Sequence, residues 1–322
     1  MEKLFQKISF SSATLVLILL LGIFTTLFIS AKPAIAEFGL EFITDKRWNQ
    51  EVSLPQTKTP AQVATPAQNL EDDDAIADED DMILDEDDED DSMTKTVFGG
   101  LVPIVGTLLS TLIALVFAMP IAMGIAVFLA EIASKNISKY VGIAIELLAA
   151  IPSIIFGMWG LYYFAPIISD TFGGYQVSLL TAGLVLGVMI LPFMAAVTRD
   201  SMNTTPDVLK ESAYALGATK FEVVKDVIFP FSKVGIIGSI ILALGRALGE
   251  TMAVAFLIGA VYSLPETITD PTISIPVAMA VNFGEASGLG ESSLFYLGLI
   301  LFILSFAVIS FAKFYFLKRT KV

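Results

Sequence analysis

Glu211-Ser-Ala-Tyr-Ala-Leu-Gly217 and, after nine further residues, Val227-Ile-Phe-Pro230 lie in a polar loop between two long apolar stretches. Local chemistry describes two short helices joined by a turn. Thr205-Pro206-Asp207 reads as an N-cap, a proline at the first helical position and an acid in the first turn. Gly217 suits the left-handed residue that follows a helix C-terminus. Thr219 and Glu222 have capping-box spacing and start a second short helix, whose extension Pro230 limits. Leu209, Ala213 and Leu216 fall on one face of the first helix. By these residues alone the segment is a surface helical hairpin.

The rest of the chain places that hairpin beside a membrane. Of 322 residues, 55% are hydrophobic and the mean hydropathy is +0.76, far too apolar for a soluble domain. Uncharged runs of 24, 35, 23, 28 and 21 residues lie between Lys7 and Lys32, Lys95 and Glu131, Glu146 and Asp170, Asp170 and Arg199, and Glu291 and Lys313. A further apolar stretch from Lys233 to Glu266 is interrupted only by Arg246 and Glu250. A membrane-crossing helix needs about 20 apolar residues. The pattern therefore predicts an all-α integral membrane protein with six transmembrane helices.

Composition excludes several chemistries. With no cysteine and no histidine, the chain forms no disulfide and offers neither thiolate nor imidazole as ligand, nucleophile or base. No metal site and no cofactor are expected. There is no G-x-x-x-x-G-K-[ST] loop, so energy must come from a partner or an ion gradient, and the chain itself is not expected to be an enzyme. The net charge of −14 is a local effect, because Glu71 to Asp91 alone carries 15 acidic and no basic residues.

Three regions follow. Residues 1–45 form the first transmembrane helix and the start of an outer loop. Lys3 and Lys7 before the apolar run, with Ala34-Ile35-Ala36 after it, also suit a signal peptide. The run exceeds the usual ~7–15 residues of such a segment, which favours an uncleaved helix. Residues 46–96 are a linker with Pro55, Pro60 and Pro66 and then the acidic run. Like charges repel and little apolar surface is available, so an acidic, disordered extracytoplasmic loop is expected. No glycine in the run supplies the turn of an EF-hand, so a solvated tail is favoured over a calcium site. Residues 97–322 form the core with five further helices, and the polar loop covers 199–232.

Basic residues near the spans set the orientation. One set of loops carries Lys3, Lys7, Lys135, Lys139, Arg199, Lys210, Lys220, Lys225 and Lys233, with Lys313, Lys318, Arg319 and Lys321 at the end. The other set has basic residues only in the single long loop. Both termini and the 199–232 loop are expected on the cytoplasmic side. Pro103, Pro120, Pro152 and Pro192 fall within predicted spans and mark kinks or packing bends. Ile273 to Phe283 suits a short interfacial or re-entrant helix on the outer face.

Arg246 and Glu250 are the charges inside an apolar span, four residues apart and so expected on one helix face. Each costs about 2.5–3.5 kcal/mol at a bilayer centre, so such residues face a bundle interior or a watery cavity. Two roles compete: an ion pair holding helices in register, or a place in the substrate path or its gate. They can coexist, because breaking the pair frees a guanidinium fork suited to an oxyanion.

The polar loop resembles E-A-A, three residues, G, nine residues, I-x-L-P, the cytoplasmic signature of ABC-importer permeases of MetI-like architecture. Ser212, Val227 and Phe229 depart from it. The stretch LGRALGETMAV from Leu244 to Val254 resembles the fifth helix of phosphate-importer permeases of the PstC type. FGGLVPIVGTLLSTLIAL, AIPSIIFGMWGL and LPFMAAVTRDSM are similar to their second, third and fourth helices. The likeness covers roughly residues 8–45 and 97–317; the acidic insertion departs from it.

The resemblance implies a bacterial inner-membrane permease that conducts inorganic phosphate through half of a shared path. Glu211, Ala213, Gly217 and Pro230 would couple it to a separate ATPase, and Arg246 and Glu250 would act in the path or its gating. It also implies partners: a second, PstA-like permease, two copies of a PstB-like ATPase and an extracytoplasmic PstS-like phosphate-binding protein. Membrane lipid surrounds the chain, and no nucleic acid is expected. Two alternatives stay open. One is a permease for sulfate, molybdate or phosphonate; the other is an ion-coupled secondary carrier, which predicts inverted repeats.

Overall fold

The computed structural model describes residues 2–53 and 94–318, so the acidic run Glu71–Asp91 lies outside the described residues. Chain order begins with α1 (Glu2–Phe38) and α2 (Glu41–Thr44), then strands β1 (Trp48–Ser53) and β2 (Thr94–Phe98), then α3 (Leu101–Val127). Next come α4 (Lys135–Ala149), α5 (Ser153–Trp159), α6 (Ala165–Phe172), α7 (Leu179–Asn203), α8 (Asp207–Ala215) and α9 (Lys220–Glu222). α10 (Phe229–Leu248), α11 (Met252–Ala255), α12 (Ile275–Asn282) and α13 (Leu289–Lys318) complete it. π-helical turns at Phe128–Ile132, Gly160–Phe164 and Val223–Ile228 extend α3, join α5 to α6 and join α9 to α10. Two compact units are distinguished. Asn49–Val97 carries most of the two-stranded β1–β2 sheet, and the remainder carries the helices.

Among the described residues, five helices are long and apolar enough to cross a membrane: Leu4–Phe38, Leu101–Ile132, Leu179–Asn203, Lys220–Leu248 and Leu289–Phe314. A sixth crossing is counted when the pair Lys135–Ala149 and Ser153–Phe172, bent by 90°, is taken as one. The bend falls at Pro152, which takes the N-cap position of α5. A residue before proline is pushed out of helical geometry, so the predicted third span breaks there. Pro103 sits in the first turn of α3, where a missing N–H leaves no bond unmade, while Pro120 and Pro192 lie inside α3 and α7.

α7 is the axis of the helical unit, and two-thirds of its apolar window is buried. α3 lies along it through a stripe of alanines one turn apart: Ala114, Ala118, Ala122 and Ala126 are each 1% exposed or less. On α7, Gly183 and Gly187 answer that stripe. A Cβ on Gly183 would stand 2.7 Å from Ile113, and one on Gly187 would stand 3.1 Å from the Ala114 carbonyl. Lipid tails are as apolar as leucine, so helices in a membrane associate by close packing of small residues rather than by hydrophobic burial. Thr198 and Ser239 share a 2.8 Å hydrogen bond that ties α7 to α10 in the same contact zone. Among the long helices α1 packs chiefly along α13, and most of its apolar residues are exposed.

Between α10 and α13 the chain is broken into short pieces, and several of its carbonyls are used by the start of α7. Ser178, Leu179 and Leu180 at the start of α7 donate N–H bonds to the carbonyls of Leu257, Asp270 and Ile268 at 2.8, 3.0 and 2.8 Å. These carbonyls serve donors that a helix start leaves free. Leu257, Ile258, Ile273 and Ile275 are fully buried. Irregular backbone is tolerated at membrane depth where protein covers it or where it lines a water-filled cavity, and residues 257–258 and 272–278 of this segment are covered. α12 fills the 273–283 stretch expected to be a short helix, and Thr107 of α3 accepts the Ile275 N–H at 2.8 Å.

Candidate functional site

The polar loop folds as a helix, a tight turn and a second helix, with one change at each outer end. α8 begins at Asp207 with Pro206 in the cap position, so Thr205 is not the N-cap. Thr205 is instead buried where α7 ends, and its hydroxyl has no hydrogen-bond partner. At the other end of α8 the Ala218 N–H reaches the Ala213 carbonyl (3.1 Å) and the Gly217 N–H reaches the Tyr214 carbonyl (2.9 Å). That pair of bonds is the Schellman motif, and Gly217 supplies its left-handed residue with φ of 87°. Thr219 and Glu222 form the full capping box, each side chain accepting from the other's backbone N–H.

Pro230 does not stop the second helix, which runs without interruption from Lys220 to Leu248. The helix widens to π geometry over Val223–Ile228, just before the proline. A proline ring collides with the carbonyl four residues earlier; here that residue is Asp226, inside the widened turn, where the collision is relieved. Gly160–Phe164 repeats the arrangement before Pro166.

α8 lies at the surface, and none of its residues is buried. Glu211 is exposed, whereas Ala213 is half-buried against a small apolar cluster of Ala126, Met202, Val223, Val224, Ile228 and Ile236. Val208, Leu216 and Phe221 expose 70%, 89% and 74% of their surface. Of the predicted face, only Ala213 turns inward; Leu209 and Leu216 point outward.

Arg246 lies in the last turn of α10, where the helix dipole favours a cation. It is exposed and makes no ion pair or side-chain hydrogen bond among the described residues. Phe231, Val234, Leu242 and Arg246, spaced three or four residues apart or twice that, are all exposed, so one face of α10 is left uncovered by the described residues. Glu250 does not share that helix. α10 ends at Leu248, Gly249 caps it, and the Glu250 carboxylate accepts the Ala253 N–H at 3.2 Å at the start of α11. The expected i, i+4 pair is absent because the backbone turns between the two residues.

Sequence spacing missed three ionic contacts at the other end of the span. Lys210 Nζ donates to Glu131 Oε1 at 2.7 Å, and Arg199 donates to Asp200 at 2.8 Å and to Glu146 at 3.3 Å. Arg199, Lys135 and Lys139 border a cavity of about 530 Å³. Lys210 and Glu131 are 79 residues apart, beyond any helical periodicity; Glu131 closes an apolar run and Lys210 lies inside the polar loop, so nothing in the spacing pairs them. Outside the spans, backbone N–H groups led by that of Thr267 hold the Asp270 carboxyl below its ordinary value, and the Arg47 guanidinium does the same for Asp45. No cluster suited to a metal ion occurs among the described residues.

The model of the binding-protein-dependent transport system inner membrane component family matches residues 122–322. The phosphate transport system permease protein PstC of Pasteurella multocida is 38% identical over 97% of this chain and 90% of its own length. That of Haemophilus influenzae is 38% identical over 97% and 92%. The probable PstC of Methanocaldococcus jannaschii is 32% identical over 70% and 77%. Among solved structures, a bacterial alginate ABC transporter in complex with its alginate pentasaccharide-bound periplasmic protein aligns with a TM-score of 0.54 at 17% identity, covering 69% of this chain and 80% of that one. An inward-facing MetNI methionine ABC transporter aligns with a TM-score of 0.51 at 21% identity, covering 68% and 92%. The packed spans, the projecting helical loop and these matches lead to one statement: the chain belongs to the family of binding-protein-dependent transport system inner membrane components.

Proposed function

We propose that this multi-pass protein is the permease subunit of an ATP-driven phosphate importer. It forms half of the translocation path and binds a separate ATPase through the 205–230 loop. The observation that carries the reading is Arg246, an exposed guanidinium on an apolar span, in a chain 38% identical over 97% of its length to a protein named as a phosphate permease. Lys233 marks the edge of the apolar stretch, and thirteen residues of helix raise Arg246 ~20 Å above it, within a hydrocarbon layer ~30 Å thick. At that depth a bare cation facing lipid costs about 2.5–3.5 kcal/mol. The uncovered face of α10 therefore turns to a partner permease or to water, and the guanidinium meets the oxyanion there. The helix break at Gly249 fits this role, since discontinuous helices commonly border substrate sites in transporters.

At the other end, α8 presents Glu211 and a group of exposed apolar side chains where a cytoplasmic partner would dock. Both termini lie on that side in this reading. ATP-driven closure of the ATPases moves α8, rocks the permease halves and opens the path to the outer face, where a binding protein releases phosphate. Uptake of labelled phosphate by the reconstituted complex, with and without ATP and with sulfate as competitor, tests the proposal. Strong competition by sulfate assigns a different oxyanion, and uptake without the ATPase assigns a secondary carrier.

A further inference from the structure

Lys210 and Ala213 are the only residues of α8 that are not exposed, and they lie on one face of the helix. The best-covered positions of α8 are therefore one cation and one small apolar side chain. Ala213 rests on the small cluster at the inner end of the spans. Lys210 reaches Glu131 in the π turn that ends α3, at 2.7 Å, with side chains only 16% and 9% exposed. Glu131 has no other side-chain hydrogen bond among the described residues. α3 then runs the depth of the molecule, and Thr107, ~36 Å away along the helix, accepts the N–H of Ile275 at the start of α12.

We infer that the Lys210–Glu131 pair is the strut through which movement of the docking helix reaches α3, and through α3 the broken segment beyond Arg246. This rests on the importer reading above. As glue the pair is a poor choice, because well-packed apolar residues in its place commonly stabilise as well or better. A charged pair fixes direction and register, which is what a link between a moving surface helix and a rigid span requires. The long helix supplies stiffness, and the π turn supplies a point of bending at Glu131. Both residues act through α3 and are positioning residues.

The test uses the reconstituted complex carrying Glu131→Gln with Lys210→Met, a neutral double variant that leaves no unpaired charge, and the exchanged pair Glu131→Lys with Lys210→Glu. The neutral variant is expected to retain its ATPase subunit and hydrolyse ATP while phosphate moved per ATP falls about tenfold, within the usual range of coupling between sites. The exchanged pair is expected to recover most of that ratio. A wild-type ratio in the neutral variant overturns the strut. So does loss of the ATPase subunit in step with loss of transport, which assigns the pair to holding the loop folded. A second readout needs no substrate: the chain lacks cysteine, so Leu112→Cys on the exposed face of α3 takes a single spin label. Its ATP-dependent spectral change should vanish in the neutral variant, and its persistence there overturns the strut. If wild-type complexes respond to ATP at this label but move no phosphate, the importer reading fails and the strut stands.

Discussion

Gly249 separates Arg246 from Glu250, so the arginine closes α10 while the glutamate caps the Ala253 N–H at 3.2 Å on the far side of the break. Four residues apart in sequence, the two charges do not pair. Among the described residues the guanidinium has no partner, which is the state in which it can meet an anion.

Arg246→Gln is expected to lower phosphate uptake by about tenfold or more while the complex assembles normally, since hydrogen bonds to charged groups contribute about 1.5–3 kcal/mol each. Uptake by purified complexes of verified subunit composition checks this. Near-normal rates remove Arg246 from the path.

Glu250 carries a charge and a capping oxygen, and two substitutions separate them. Glu250→Gln keeps an acceptor for Ala253 and should leave thermal stability unchanged while uptake falls several-fold, because the negative charge that aids anion release is gone. Glu250→Ala loses the cap as well, at a cost of about 1 kcal/mol. Equal uptake in Glu250→Gln and wild type reduces Glu250 to a structural cap.

At Gly217 there is open space around the position a Cβ would take, so only backbone strain opposes substitution. Valine at a φ of 87° is strained by about 1–2 kcal/mol or more, whereas asparagine tolerates that region. Gly217→Val should lose the ATPase subunit and transport, and Gly217→Asn should keep both. Co-purification of the ATPase decides between them, and indifference to valine ends the docking assignment.

Two glycines at close approaches should differ sharply. A Cβ on Gly106 runs into the Ile273 carbonyl, which is backbone and cannot yield, so Gly106→Ala should destabilise by about 1–3 kcal/mol. A Cβ on Gly142 meets the tip of the Arg199 side chain, which can swing aside. Gly142→Ala should therefore be nearly silent. Thermal melts of the two variants in detergent compare them directly.

Deleting Glu71–Asp91 should leave uptake nearly unchanged at physiological salt, because exposed charges are screened beyond about 8 Å there. An effect is expected only at low salt, as a change in apparent affinity for the binding protein. A salt-independent fall in maximal rate makes the segment part of the machinery.

Much of this protein is written in local sequence. Apolar runs long enough to cross a bilayer mark the spans, because no water is available inside and a helix satisfies its own backbone. The Schellman turn at Gly217 and the capping box of Thr219 and Glu222 were legible because both motifs close within a few residues. The alanine stripe of α3 and the glycines of α7 can likewise be read as small-residue spacing. Tertiary structure alone decided the rest. Pro230 passes inside a continuous helix because a π turn makes room, a change of hydrogen-bond register that composition does not announce. Arg246 and Glu250 part because the segment after Leu248 is drawn into packing with α5 and α7, which outweighs the helical preference of its residues. Lys210 meets Glu131 across 79 residues only because α3, α7 and α8 converge at one end of the bundle. Short-range geometry is encoded within a turn or two of chain, whereas the partner of a buried charge is chosen by whichever helix the packing brings within reach.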